Sequence, residues 1–133
     1  MAKGSGAVGK GGKSGSVSGA ISKGLSMARV PAEVKALGSH EARAWAGIQA
    51  AMKSGKSSLV LMTDAIKASG LSKDAFHKAA SRMWDKGTKG FIMHNHDYPQ
   101  NMTNHAKSGA MTRTMTSQFG SSTNTFHAVS VPE

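Results

Sequence analysis

Two amphipathic segments that meet at Gly70 constrain this chain more than any other feature. "TDAIKASG" (63–70) is about two helical turns long, with Thr63 placed to cap it and Gly70 to close it. "LSKDAFHKAASRMWDKG" (71–87) follows: Ser72 is the expected N-cap, Gly87 the stop, and Phe76, Ala79, Ala80, Met83 and Trp84 recur at the spacing of one helix face. A short helix, a turn on Gly70 and a longer amphipathic helix make a helix-turn-helix.

The flanks extend that frame. "RVPAEVKALG" (29–38) reads as a short helix with Pro31 at its first position, Glu33 in the first turn and Gly38 at its end. "SHEARAWAGIQAAMKSG" (39–55) reads as a second helix, capped by Ser39 and stopped by Gly55, with Trp45, Ile48 and Met52 on its apolar face. "SSLVLMT" (57–63) contains a brief apolar strand. "KGFIMHNHDYP" (89–99) and "NTFHAVSVPE" (124–133) read as two further strands, the second with Phe126, Ala128 and Ser130 alternating against His127, Val129 and Val131. Between them, residues 100–123 are polar and show no strong period, so a long loop is expected there, with no helix after Tyr98. The predicted fold class is mainly α with a small β-hairpin: a winged helix-turn-helix over residues 29–133, with a long wing loop.

Charge narrows the function. Seventeen Lys and Arg against seven Asp and Glu leave a net charge of +10, which draws the chain to polyanions, nucleic acid first. Residues 1–28 hold eight of the sixteen glycines and no acid. They are expected to form a flexible basic tail whose Lys3, Lys10, Lys13 and Lys23 meet phosphates. With no cysteine, disulfides and thiolate zinc sites are excluded. No stretch approaches the roughly 18 apolar residues of a membrane span, and the N-terminus lacks the apolar core of a secretory signal. The expected location is cytoplasmic, on the nucleoid.

"GGKS" (11–14) and "SGKS" (54–57) are not phosphate-binding loops, because Ala7 and Ala50 stand where that motif needs a glycine and no strand leads into either. The outer face of the third long helix carries Lys73, His77, Lys78, Ser81 and Arg82. In a major groove such side chains reach base edges and phosphates, Arg82 with the geometry to grip a guanine. Lys86 and Lys89 follow the helix, Lys107 and Arg113 lie in the expected wing loop, and no acid occurs between Asp97 and Glu133.

The stretch "LSKDAFHKAASRMWDKGTKGFIMHNHDYP" resembles bacterial winged-helix DNA-binding proteins, in which a leucine-led recognition helix runs through Gly into an "LHxHDxP"-like strand. Residues 57–99 carry the resemblance, with a looser echo in "FHAVSV" (126–131). It implies a transcriptional regulator, or a partition or replication factor of a chromosome, plasmid or phage.

"HNH" (94–96) raises a rival, a metal-dependent hydrolase or nuclease. His94 and His96 lie two apart, as one strand face requires, but Asp97 stands where the zinc motif His-x-His-Pro has its proline, and no further carboxylate ligand follows before Glu133. His105 or His127 is the remaining source of a third nitrogen. The endonuclease signature of that name spreads its residues along a hairpin and helix, which three adjacent residues do not. The expectation is therefore no catalytic residue, no metal and no cofactor, with His94 and His96 on a wing strand that touches DNA. Trp45 and Trp84 belong to the core, and Met52, Met83 and Met93 fill it. The expected activity is sequence-reading binding of double-stranded DNA, by a homodimer or cooperative assembly because one reader of this size has a short footprint. Two further rivals are a non-specific nucleic-acid-coating protein and a winged helix that binds protein.

Overall fold

In a computed structural model of the chain, residues 25–96 and 98–132 are described. The tail lysines Lys3, Lys10, Lys13 and Lys23, together with Asp97 and Glu133, lie outside that range. Of the expected tail, Leu25 is within it and packs against the core.

The two helices that flank Gly70 form around the signals that announce them. Helix α1 spans Ala32–Leu37, α2 Ser39–Gly55, α3 Met62–Ser69 and α4 Lys73–Asp85. Gly70 takes the left-handed conformation (φ 73°) that ends α3, where only glycine avoids a Cβ penalty. The Ser72 hydroxyl accepts from the Ala75 N–H at 3.1 Å and so caps α4. Gly87, at φ 65°, closes α4 with its own N–H bonded to the Trp84 carbonyl and the Thr88 N–H bonded to the Met83 carbonyl, a Schellman ending.

Three expected caps are placed otherwise. Ser39 is the first residue of α2 and makes no capping bond, the cap position being Gly38. Lys56, rather than Gly55, takes the left-handed turn after α2, at φ 50°. Leu61 precedes α3, which frees the Thr63 hydroxyl for a tertiary bond described below.

Glycine also sets the helix spacing. A Cβ on Gly47 would stand 2.6 Å from the Ser69 Cβ and 2.7 Å from its Cα, so the bare α-carbon lets α2 lie directly on α3. The buried Ser69 donates to the Ile66 carbonyl at 2.7 Å, accepts from the Leu71 N–H at 3.1 Å, and has its own carbonyl bonded by Arg43 Nε at 2.8 Å. Trp45, Ile48, Phe76, Met62, Met83 and Val129 are fully buried where these helices meet. Each such side chain contributes on the order of 1.5–3 kcal/mol. Met52 and Met93 join them, Trp45 stacks on Phe91 and Trp84 meets Phe126 at a tilt, so both tryptophans serve the core.

Four antiparallel strands complete a mixed α+β fold: β1 (Val60–Leu61), β2 (Ile92–Asn95), β3 (Met111–Ser117) and β4 (Gly120–Ser130). β4 is central. Its C-terminal half pairs with β1 through Val60↔Val129 and with β2 through Ile92↔Ser130, giving the order β1-β4-β2. Its N-terminal half pairs with β3 from Met111↔Phe126 to Ser117↔Gly120. Phe126 is shared by Asn95 and Met111, so β2 and β3 take opposite edges of β4, and β3 lies in line with β1.

The expected irregular loop over 100–123 is the main correction. Pro99–Asn101 form a 3-10 turn, Asn104–Gly109 form a short helix α5, and β3 and the start of β4 fill the rest. Thr103 caps α5 by accepting from the Ala106 N–H at 3.1 Å. Polarity concealed these elements, because past Met111 and Arg113 the described side chains of β3, and those of β4 through Thr123, are exposed and need no apolar face. Among the described residues no helix is long and apolar enough to cross a membrane.

Candidate functional site

The outer face of α4 carries two ridges at the i, i+4 spacing, and the structure uses them differently. On the first, the His77 Nε2–H donates to the Gly109 carbonyl at 2.9 Å, the Ser81 hydroxyl to the Met111 sulfur at 3.4 Å, and Asp85 accepts from Arg113 Nη2 at 2.9 Å. Because a carbonyl only accepts, the Gly109 contact fixes the neutral His77 ring as the Nε2–H tautomer. One bond per helical turn thus meets every second residue from α5 into β3. The match is geometric: four helical residues rise about 6 Å and two strand residues about 6.6 Å.

The second ridge faces solvent. Lys78, Arg82 and Lys86 are exposed, and Lys73 stands at the helix start. Lys78 pairs with Asp74 at 3.1 Å, both side chains more than three-quarters solvated, so that pair holds weakly. The side chains of Lys73, Arg82 and Lys86 make no hydrogen bond or ion pair among the described residues. Between the ridges and β3 runs an open groove of about 730 Å³ whose lining includes Lys73, Lys78, Arg82, Lys86 and Arg113 against one carboxylate, Asp85. Five cations beside one anion, two of them cancelling at the Asp85–Arg113 contact, make it a basic trough. Arg113 Nη1 is covered and has no acceptor among the described residues.

The groove therefore gathers Lys73, His77, Lys78, Ser81, Arg82, Lys86 and Arg113 from the expected set. His77 and Ser81, expected at base edges, are engaged with the β3 segment. Arg113 reaches the groove from a strand rather than from a loop. Lys89, His94, His96 and Lys107 lie outside it, Lys107 on α5. α5 itself docks on α3: the Thr63 hydroxyl donates to the His105 carbonyl at 2.7 Å, His105 Nε2 meets Asp64 at 2.9 Å, and a Cβ on Gly109 would stand 2.5 Å from the Thr63 Cα. This docking sets where β3 starts, and so where the groove wall stands.

The histidines of β2 and β4 form a separate cluster. Pairing jumps from His94↔Ala128 to Asn95↔Phe126, so His127 is bulged out, and its Nδ1–H donates to the His94 carbonyl at 3.2 Å. His94 Nε2 bonds the Ser130 hydroxyl at 3.1 Å. His96 lies past the end of β2, its Nδ1 accepting from the Tyr98 N–H at 3.0 Å and its ring edge-on to His127 with centroids 4.7 Å apart. Burial first, then the His96 imidazole, lowers the His127 pKa below its usual 6.5, against the raising effect of the His94 carbonyl. Among the described residues no group of three or more histidines and carboxylates is placed to hold a metal ion.

The sequence reading missed β3 as a wall of the site, though a signal existed. Thr112, Thr114 and Thr116 alternate on one strand and Ser121, Thr123 and Thr125 on the next, a period of two in β-branched and hydroxyl residues about the turn at Gln118–Phe119. No protein-family model matches the chain, and neither curated proteins nor solved structures yield a match.

Proposed function

We propose that the chain is a winged helix-turn-helix protein that binds double-stranded DNA, with α4 in the major groove and no chemistry of its own. The observation that carries this reading is the exposed basic ridge Lys78–Arg82–Lys86, with Lys73 at its head and Arg113 across the trough. An exposed helix of this charge suits a groove lined by phosphates, with the guanidinium of Arg82 able to grip a guanine edge. Part of the element order supports it: helix, short strand, two helices about a tight turn, then β2 and, after α5 and β3, the long strand β4, with β1-β4-β2 adjacent in the sheet. Lys89, Lys107, His94 and His96 fall to backbone and wing-side contacts, and Lys3, Lys10, Lys13 and Lys23 to salt-sensitive affinity. Assembly as a homodimer or cooperative array would lengthen the footprint.

A second reading has its own observation. His77 and Ser81 are engaged with the β3 segment, which leaves mainly charged ends to face DNA, and charge without neutral readers favours phosphates over bases. That protein would coat or shape DNA with little sequence preference. Selection from random duplex libraries at near-physiological salt separates the two. An enriched motif that Arg82→Ala abolishes and removal of residues 1–24 preserves is the expected result. Tight binding with no motif favours the coating reading, and no binding to duplex DNA removes both.

A further inference from the structure

The β3–β4 ribbon runs past the groove and ends on an uncovered aromatic ring. Beyond Arg113↔Asn124 the ladder continues through Thr114↔Thr123 to Ser117↔Gly120, closed by Gln118 and Phe119. Those four residue pairs give a reach of roughly 13 Å at about 3.3 Å each. Thr112, Thr114 and residues 116–123 are all exposed. Phe119 is 90% exposed, far beyond Tyr98 at 62% or Ile92 at 49%.

The tip is built rather than loose. The Ser117 hydroxyl donates to the Gly120 carbonyl at 3.4 Å and accepts from the Phe119 N–H at 3.2 Å, which fixes the turn that presents the ring. Behind it, Thr114 pairs with Thr123 and Thr116 with Ser121 across the ribbon, each at 3.3 Å between hydroxyls. Residues 114–124 carry no charge, so nothing in the arm repels a polyanion.

We infer that this ribbon is a DNA-deforming arm: it enters a groove of the duplex seated on α4, and Phe119 wedges between neighbouring base pairs and kinks the duplex. The inference rests on the DNA-binding reading above and adds to it what the wing does. Three features converge. Continuity comes first, because β3 forms one wall of the basic trough before it becomes the arm, so a duplex drawn to Lys78, Arg82 and Lys86 lies at the arm's root. Dimension is second, since a reach of roughly 13 Å exceeds the depth of either groove, about 8.5 Å for the major and about 7.5 Å for the minor. Chemistry is third: an apolar ring on a hydrogen-bonded turn, flanked by neutral hydrogen-bonding side chains, is the type of group that partially unstacks a base step and bends DNA.

The test is end-to-end energy transfer on a dye-labelled duplex of about 20 base pairs, whose ends lie roughly 68 Å apart when straight and move to roughly 48 Å with a central kink of about 90°. It is read with the full chain, Phe119→Ser and Phe119→Trp, each checked for an unchanged melting transition. The ring touches little, so both variants fold. The wild-type protein is expected to shorten the end-to-end distance. Phe119→Ser should bind about 3–10-fold more weakly and leave the duplex nearly straight, and Phe119→Trp should restore the bend with its added indole emission quenched by the bases. Wild-type binding without bending, a bend unchanged in Phe119→Ser, or an unquenched indole would overturn the wedge while leaving DNA binding by α4 intact. Absence of any binding by the wild type would overturn both. If Phe119→Ser altered only self-association, measured by sedimentation of the same samples, the arm would join copies of the chain and the inference would fail.

Discussion

The Arg113 guanidinium donates to the Asp85 carboxylate across 2.9 Å, and this ion pair is the last of three contacts, one per turn of α4, that fasten the β3 segment to the helix. It serves two purposes at once. It holds the groove wall in place, and it puts the only carboxylate among the described residues of the trough against one of its five cations.

Asp85→Asn should separate those purposes. Asp85 is 60% exposed, so solvent screens the pair and its loss should cost less than about 1 kcal/mol, read as a small fall in the urea midpoint. Affinity for duplex DNA should rise several-fold, because Arg113 is released and a negative charge leaves the trough. A large loss of stability with no gain in binding would make the pair purely structural.

Gly109→Ala tests how α5 positions that wall. The new methyl would meet the Thr63 Cα at 2.5 Å and the Thr63 hydroxyl at the same distance, and neither can retreat without moving α3. A cost of about 1–3 kcal/mol is expected, as for other overpacked sites. Because the Gly109 carbonyl also accepts from His77, the thermal shift should come with a changed His77 side-chain NMR signal. Gly55→Ala, with open space around its α-carbon, is the control and should not destabilise.

The parts of the fold that the sequence made legible are those where burial and local chemistry agree. Gly70, Ser72 and Gly87 punctuate α4 as their residue types require, and the Phe76–Met83 stripe is buried. The ridge Lys78–Arg82–Lys86 could be read off helical period alone. What escaped was whatever depended on distant partners. Nothing local says that Ser81 will meet Met111, or that Thr63 will serve α5 rather than cap α3. The β3–β4 ribbon was missed for a different reason: with polar residues on both faces, it lacks the apolar alternation by which a half-buried strand is recognised. His94 and His96 fit a period of two until the bulge at His127 broke it, and a bulge has no reliable sequence mark.

The bulge has a pH signature. Folded His127 has a pKa below 6.5, so as pH falls through that value the unfolded chain takes up a proton that the native state refuses. Stability from this group is therefore fully present above the unfolded pKa, declines as pH drops toward the folded one, and levels off once native His127 also protonates. Urea midpoints between about pH 7.5 and 5.5 should fall with acidification, less steeply in His127→Gln than in wild type. An NMR titration of the His127 ring with a midpoint at or above 6.5 would contradict this account.

Arg82 and Lys78 divide the ridge into a free cation and a paired one. Arg82 has no partner among the described residues, whereas Lys78 must leave Asp74 to meet a phosphate, a small loss because that contact is solvated. If both act on the backbone, alanine at either position should reduce the slope of log affinity against log salt by about 0.9 and weaken all sequences alike. If Arg82 grips a base, Arg82→Ala should instead cost about 1–3 kcal/mol on the preferred site alone and flatten selectivity at one position. The salt titration and the site comparison, run on the same two variants, place Arg82 on a base or on a phosphate. Under the proposed function, that assignment decides whether α4 reads DNA or only seats it.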